Sequence, residues 1–552
     1  MCILCNRGLL QNPSARFGAL GSRRNFLKGA AATGAAAGMG LFAPRRASAQ
    51  NDQGAPADTG RNGRRYVIRG GAVMSMDPQV GNFPKADVLI DGKKIVAVGP
   101  NLGASGAQEI DATGRIVMPG FIDTHHHQFE TALRSFLADG ILIQDTNSGP
   151  SGNTTYFEFI LLKFAPVYRP QDVYINELFG GLSQLDDGVT TVHDVSQIHH
   201  TPQHSDAAIQ ALFDTGRRAA FGYFEGAGSN PPNYAYPQDA IRIKKQWFPT
   251  TDQLVTMIMG GEIYLPGYEK AWLIGRQLQL PIAAHILSPF GMRPTFDALA
   301  QNKGGDSGTL GLGSDNLFIH MTGMSHMAWN RVQQLGIPVS IAFPIEMNMR
   351  HGMPPILRLQ SLGMEPSLSV DVECTLTADF FTQMRSCMNL QRMLVNQMTL
   401  DSPNGNSNYP DPLDWGLPDT AASTANPWPP LPSPSVPPPL TTRDVLRYAT
   451  INGAKALRLD GKTGSLSPGK EADVIILDAT RINVVPLNQV PGAVVSLMDR
   501  TNVETVIVAG KIRKWKGELL NVDLPRLRTQ LEASRDYIFQ AAGIPQDLFS
   551  SQ

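Results

Sequence analysis

Net charge, cysteine and long apolar runs are all scarce in this sequence, and each shortage narrows what the chain can be. Forty-seven basic against 48 acidic residues leave a formal charge of -1 over 552 residues, so there is no bulk field to hold nucleic acid. Of only four cysteines, Cys2 and Cys5 fall in a leader and leave with it, so their CxxC spacing argues for no mature zinc or redox site. Cys374 and Cys387 remain and read as free thiols rather than a pair. The apolar run nearest the N-terminus, Gly29 to Phe42, is about 14 residues, short of the roughly 20 that cross a bilayer as a helix. With 42% hydrophobic residues the chain can nonetheless bury a large core, as a soluble globular protein does.

That run belongs to an address. Ser22-Arg23-Arg24-Asn25-Phe26-Leu27-Lys28 precedes it and Ala47-Ser48-Ala49 follows as a small-residue cleavage site, the pattern of a twin-arginine signal. Residues 1–49 are therefore expected to be a signal peptide and 50–64 a disordered mature N-terminus. The expected location is the periplasm or the extracellular space, with the membrane met only in transit; an uncleaved anchor is the competing reading.

Two distant segments share short β-rich runs punctuated by glycine, residues 65–117 and 463–520, and are expected to form one composite β-sandwich. Asp91-Gly92 and Ala509-Gly510 are turn signals within them. Between them, over 118–462, apolar runs alternate with helical patterns, the signature of repeated β-α units and a parallel sheet. Eight runs are counted: Ile116 to His125, Val189 to Asp194, Ala219 to Phe224, Leu254 to Gly261, Pro281 to His285, Asn316 to His320, Ile337 to Phe343 and Pro366 to Asp371. The fold class is thus α/β, a (β/α)8 TIM-like barrel carrying a small composite β-sandwich, with a C-terminal helical tail over 521–552.

Histidines and Asp371 close runs one, five, six and eight, where a parallel barrel gathers its catalytic groups. His125 and His127 stand two apart at the end of an extended segment, so both face one ion while His126 points away.

The stretch Pro119-Gly120-Phe121-Ile122-Asp123-Thr124-His125-His126-His127, with Thr463-Gly464-Ser465-Leu466-Ser467-Pro468-Gly469-Lys470-Glu471-Ala472-Asp473-Val474, resembles the amidohydrolase superfamily, in the branch holding triazine hydrolases and cytosine or guanine deaminases. The similarity covers about residues 65 to 520. It implies one divalent metal, zinc foremost and iron second, with His125, His127, His285 and Asp371 as its ligands. It also implies Asp371 as the group taking a proton from the attacking water and His320 as the group orienting that water. Three neutral imidazoles leave a cation's charge largely uncompensated, which suits water activation.

There are departures. Many deaminases of this branch carry H-x-x-E after the fifth strand, where the glutamate protonates a ring nitrogen; here the sequence is His285-Ile286-Leu287-Ser288. Glu346 and Glu373 are the candidate replacements. Run four contains no lysine to bridge two metals, which favours one; Glu262 keeps a two-metal reading open. His204 and His351 are candidate substrate contacts, while His193, His199 and His200 carry less weight. The proline-dense stretch 409–440, with Trp428, is an extended insert that could lie across the barrel mouth or against a second subunit of a homo-oligomer. A helix is predicted before it, over 379–398, and another after it, over 441–457, opening with Thr442 and Asp444 as caps.

The expected activity is metal-dependent hydrolysis of a non-peptide C-N bond in a small cyclic or amide compound, of deaminase or amidohydrolase type. The rivals are a dehalogenating triazine hydrolase in the same fold, and a catalytically silent exported scaffold or binding protein.

Overall fold

The computed structural model describes residues 54–144, 154–228, 234–302, 310–400 and 436–549. The leader and most of the proline-rich insert, Trp428 included, lie outside the described residues.

Five strands come first: β1 (Arg65–Met74), β2 (Asn82–Asp91), β3 (Lys94–Gly99), β4 (Gln108–Asp111) and β5 (Arg115–Pro119). Eight parallel strands follow, each paired with the next: β6 (Phe121–His126), β7 (Val189–Ser196), β8 (Arg218–Tyr223), β9 (Val255–Gly260), β10 (Ile282–Leu287), β11 (Asn316–Thr322), β12 (Val339–Ile341) and β13 (Ser367–Leu368). The ring closes just beyond β13, where the Asp371 N–H donates to the His125 carbonyl at 2.9 Å and the His127 N–H donates to the Asp371 carbonyl at 2.8 Å. These are the eight expected runs with two changes. Run one is two strands: Arg115–Pro119 pairs with the outer sheet, and only the residues after Gly120 enter the barrel. Run seven stops early, because Phe343-Pro344 opens a short helix, Phe343–Asn348, in the way that proline favours a helix start.

Gly120 is the step between the two sheets. A Cβ there would lie 2.2 Å from the Thr190 side chain, so the crossover passes tightly over β7 and requires glycine.

The last strands, β14 (Val474–Asp478), β15 (Val503–Val508), β16 (Lys511–Trp515) and β17 (Glu518–Leu519), join the first five in one nine-stranded mixed sheet, with β14 antiparallel to β5. The sheet folds back on itself, since the Ile95 N–H donates to the Lys470 carbonyl at 2.9 Å and the Ala472 N–H to the Lys93 carbonyl at 2.9 Å. Val88, Ile90, Val117, Val474, Ile476 and Ile507 fill its interior. The predicted turns are present and packed together: a Cβ on Gly510 would lie 2.0 Å from the Gly92 carbonyl oxygen. Residues 54–64, expected to be disordered, are instead held on this sheet. Thr59 is buried and accepts the Ile512 N–H at 3.1 Å, and Arg64 Nε donates to the Ala57 carbonyl at 2.9 Å.

Sheet and barrel are pinned by a buried cation. Arg218, at the start of β8, reaches Glu471 at 2.7 Å and Asp473 at 2.8 Å. Both acids sit in the C-terminal motif quoted above, so its charged pair locks the second half of the sheet to the barrel floor. The helix expected over 379–398 spans Phe380–Leu400. The one expected over 441–457 is broken at Thr450 into Thr442–Ala449 and Ile451–Ala456, and Thr441 rather than Thr442 is its N-cap, in a capping box with Asp444. The C-terminal helix Leu524–Ala542 packs on the barrel: Ser534 donates to Asp172 at 2.8 Å, and the Phe539 ring lies 5.0 Å from Phe164.

Candidate active site

Alternation along β6 sends the three consecutive histidines to different places. His125 Nε2 and His127 Nε2 are 2.9 Å apart, and His285 Nε2, from β10, stands 3.0 Å from His125 Nε2. His126 lies away from them, with Nε2 3.6 Å from Glu373. Asp371 Oδ1 is 3.6 Å from His125 Nε2 and 3.5 Å from His127 Nε2, while its Oδ2 faces His320 at 3.6 Å and His351 at 3.8 Å. His125, His127 and Asp371 form one group of donor atoms able to hold an ion; His125, His285 and His320 form an overlapping one.

The donor set fits a divalent cation. Three imidazole nitrogens this close cannot all donate to one another, and neutral rings would turn lone pairs together. Burial, with the neighbouring histidines, holds His125 and His127 well below the usual histidine range, so both are neutral and their lone pairs are free. Burial, with Asp123 nearby, pushes Asp371 well above the usual carboxylate range, and its Oδ2 has no hydrogen-bond partner. A cation at the centre supplies the charge that each of these groups lacks.

The residues behind set the orientation. Glu262, just past β9, accepts from His285 Nδ1 at 2.6 Å and from the His285 backbone N–H at 3.2 Å. That bond fixes the His285 tautomer with its Nε2 lone pair inward. Glu346 does the same for His320, whose Nδ1 is 2.8 Å from Oε1. Asp123 accepts the backbone N–H groups of His125 and Val370 at 3.2 and 3.1 Å, tying the first ligand strand to the segment that carries Asp371. His320 and Asp371 both have left-handed backbone, φ 69° and 71°, a conformation that costs on the order of 1–3 kcal/mol for a non-glycine residue and clusters at functional sites.

A cavity opens onto these groups, lined by His127, His285, His320, His351 and Asp371 and by Tyr156, Tyr264, Phe290 and aliphatic side chains. Tyr264 and Phe290 stack with centroids 4.9 Å apart. Gln197 is a neutral polar group in the wall.

Of the sequence candidates, His127, His285, His320, Asp371 and His351 line the cavity, and His125 joins them in the ion-holding cluster. Three others do not line it. His204 is held by Thr201 at 2.7 Å and the Tyr168 carbonyl at 3.0 Å. Glu346 is taken up by His320. Glu373 is ion-paired with Arg134, which with His126 outweighs burial and keeps its carboxyl below the ordinary value. His193, within β7, and His199 and His200, in the loop after it, are each bound to a backbone carbonyl. Glu262, the two-metal candidate, is committed to His285, and every potential ion-holding group among the described residues shares atoms with the cluster at Asp371. Cys374 and Cys387 are buried and unpaired. Sequence reasoning passed over Tyr156, Tyr264 and Phe290, since aromatic residues in loops carry no periodic signal.

Comparison with known proteins agrees with this geometry. The Amidohydrolase family model matches residues 436–513, the segment that returns the chain from barrel to sheet. The chain is similar to the amidohydrolase family. Among its relatives, it is 24% identical over 461 residues to the 5'-deoxyadenosine deaminase of Methanosarcina mazei, covering 81% of this chain and 92% of the relative. It is 25% identical over 467 residues to the 5-methylthioadenosine/S-adenosylhomocysteine deaminase of Symbiobacterium thermophilum, covering 81% and 93%. The fold is shared with a zinc-bound adenosine deaminase from Xanthomonas campestris (TM-score 0.67, 20% identity, 87% of this chain and 100% of the other). It is shared equally with a zinc-complexed atrazine chlorohydrolase from Arthrobacter aurescens (TM-score 0.67, 20% identity, 85% and 100%). Residues 22–40 match the signal sequence of the twin-arginine translocation pathway.

Proposed function

We propose that this protein is an exported zinc enzyme, working in the periplasm or outside the cell, that hydrolyses a non-peptide C-N bond of a small cyclic compound and releases ammonia or an amine. The observation that carries this reading is that His127 Nε2 and His285 Nε2 stand 2.9 and 3.0 Å from His125 Nε2, with Asp371 Oδ1 3.6 Å from His125 and 3.5 Å from His127. Three imidazoles and one carboxylate suit zinc, whose catalytic sites use three or four such donors.

His125, His127, His285 and Asp371 would hold the zinc ion, which when bound would lower the pKa of water from about 15.7 to about 7 and so make hydroxide available at neutral pH. Asp371 Oδ1 faces His125 and His127, and its free Oδ2 faces the cavity wall formed by His320 and His351. It accepts the proton of the attacking water and returns it to the departing nitrogen. His320, its Nδ1 tied to Glu346, steadies the nucleophile and the charge that develops on the substrate. His351 closes the same wall and contacts the substrate. The deaminase names of the relatives support release of ammonia from an amino-substituted ring.

The test is a turnover screen of the purified protein, with metal content measured. 5'-Methylthioadenosine, adenosine, a chlorinated aminotriazine and an N-acyl amine are offered in turn. Zinc near one equivalent with ammonia or amine release from one of them supports the reading. Halide release without any amine release would replace it with the dehalogenating chemistry.

A further inference from the structure

Ser288 stands where many of this family's deaminases place the glutamate that protonates the ring, and neither glutamate proposed in its stead lines the cavity. A different carboxyl lies behind the cavity wall. Glu130 is fully buried in the short helix after β6, and its Oε1 is 2.5 Å from the hydroxyl of Tyr156, which lines the cavity. Its Oε2 has no regular hydrogen-bond partner, with only the weakly donating Cys374 thiol nearby. Tyr156 itself is fixed, since its backbone N–H donates to the Ile141 carbonyl at 2.8 Å, and its ring lies 6.1 Å from that of His127.

We infer that Tyr156, backed by Glu130, is the proton donor to the substrate ring in this enzyme, replacing the missing glutamate after the fifth strand. The inference rests on the C-N hydrolysis reading above. When Glu130 is ionised, the Tyr156 hydroxyl donates to it. When Glu130 carries its proton, the carboxyl O–H donates to the Tyr156 oxygen instead, and the phenolic hydrogen is free to turn toward a ring nitrogen in the cavity.

The step balances. The Tyr156 O–H bond breaks as a ring N–H bond forms; the Glu130 O–H bond breaks as the Tyr156 O–H is remade; Glu130 is left as carboxylate. When the C-N bond of the adduct breaks, the hydroxyl proton of the adduct is released and restores Glu130. Glu130 is fully buried, its Oε2 accepts no regular hydrogen bond, and among the described residues no basic side chain is ion-paired with it, surroundings in which a carboxyl is held in its protonated form. The ionisable groups around it are Tyr156, Tyr168, Cys374, Asp371 and Glu373, with the His127 carbonyl accepting its backbone N–H at 3.2 Å.

The experiment compares Tyr156→Phe and Glu130→Gln with the wild type on 5'-methylthioadenosine, adenosine and an aminotriazine. Expected in both variants is a fall in kcat of about 100-fold, the usual contribution of a positioned acid, with KM, zinc content and melting temperature nearly unchanged. A Tyr156→Phe enzyme with kcat within threefold of wild type overturns the relay, as does a Glu130→Gln enzyme with kcat within threefold of wild type. Should the wild type release ammonia from none of the three and no amine from the N-acyl amine, the C-N reading fails. The donor role is then decided by calorimetry with purine: tenfold weaker binding to Tyr156→Phe supports a hydroxyl donating into the cavity, and equal or absent binding overturns it.

Discussion

His285 Nδ1 lies 2.6 Å from Glu262 Oε1, while His285 Nε2, on the other side of the ring, lies 3.0 Å from His125 Nε2. One buried carboxylate thereby decides which nitrogen of His285 carries hydrogen and which offers its lone pair to an ion. Loss of such a partner behind a metal ligand typically costs 10–100-fold in affinity, roughly. Glu262→Ala is expected to weaken zinc by about that factor and Glu262→Gln by less, since the amide still accepts through its oxygen. Competition with a chromophoric chelator measures it, and an unaltered affinity in Glu262→Ala would show that His285 needs no orienting group.

If the converging histidines hold an ion in the folded protein, the ion stabilises the fold by mass action, about 4 kcal/mol at a thousandfold excess over the dissociation constant. Dialysis against a chelator should therefore lower the melting temperature of the wild type, and one equivalent of zinc should restore it. His127→Ala, lacking a ligand, should melt at the same temperature with and without the chelator. A wild type indifferent to chelation would remove the metal from the account.

Much of this arrangement was readable in the residues. The pair His125 and His127 needed only the two-residue period of a strand, and the ends of the apolar runs located His285, His320 and Asp371, because a parallel barrel turns strand ends into a site. What could not be read is what depends on packing across the chain. Gly120 divides one apolar run between two sheets for the sake of a contact with Thr190. The cap at Thr441 was missed by one position, since threonine also follows it. Glu346 was identified as a site residue, yet its place behind His320 is set by the short helix that Pro344 begins. Tyr156 and Glu130 lie 26 positions apart, and no local pattern announces that they touch.

The Gly120 crossing can be tested directly. Gly120→Ala places a methyl group 2.2 Å from the Thr190 side chain, and relief requires a shift of β7 or of the crossover. Overpacking of this kind costs about 1–3 kcal/mol, so a lower melting temperature is expected. Thr190→Gly in the same chain should recover part of it by opening the space. A Gly120→Ala protein that melts with the wild type would mean that the crossover is looser than described.

The buried Arg218 sets the acid stability of the joint between barrel and sheet. Burial pushes the Glu471 carboxyl up, but Arg218 at 2.7 Å, then Lys93 and Lys94, outweigh it and hold the group below its ordinary value. With the folded pKa below the unfolded one, near about 4.3 for glutamate, the contribution is complete above that range and disappears as pH falls through the folded value. Arg218→Met should cost about 3–5 kcal/mol at pH 7, because two buried carboxylates lose their shared cation. It should also flatten the loss of melting temperature between about pH 5 and pH 3, since the depression of Glu471 goes with the arginine. Melting curves across that range decide it: an acid limb as steep in the variant as in the wild type would show that the joint draws no stability from this pairing.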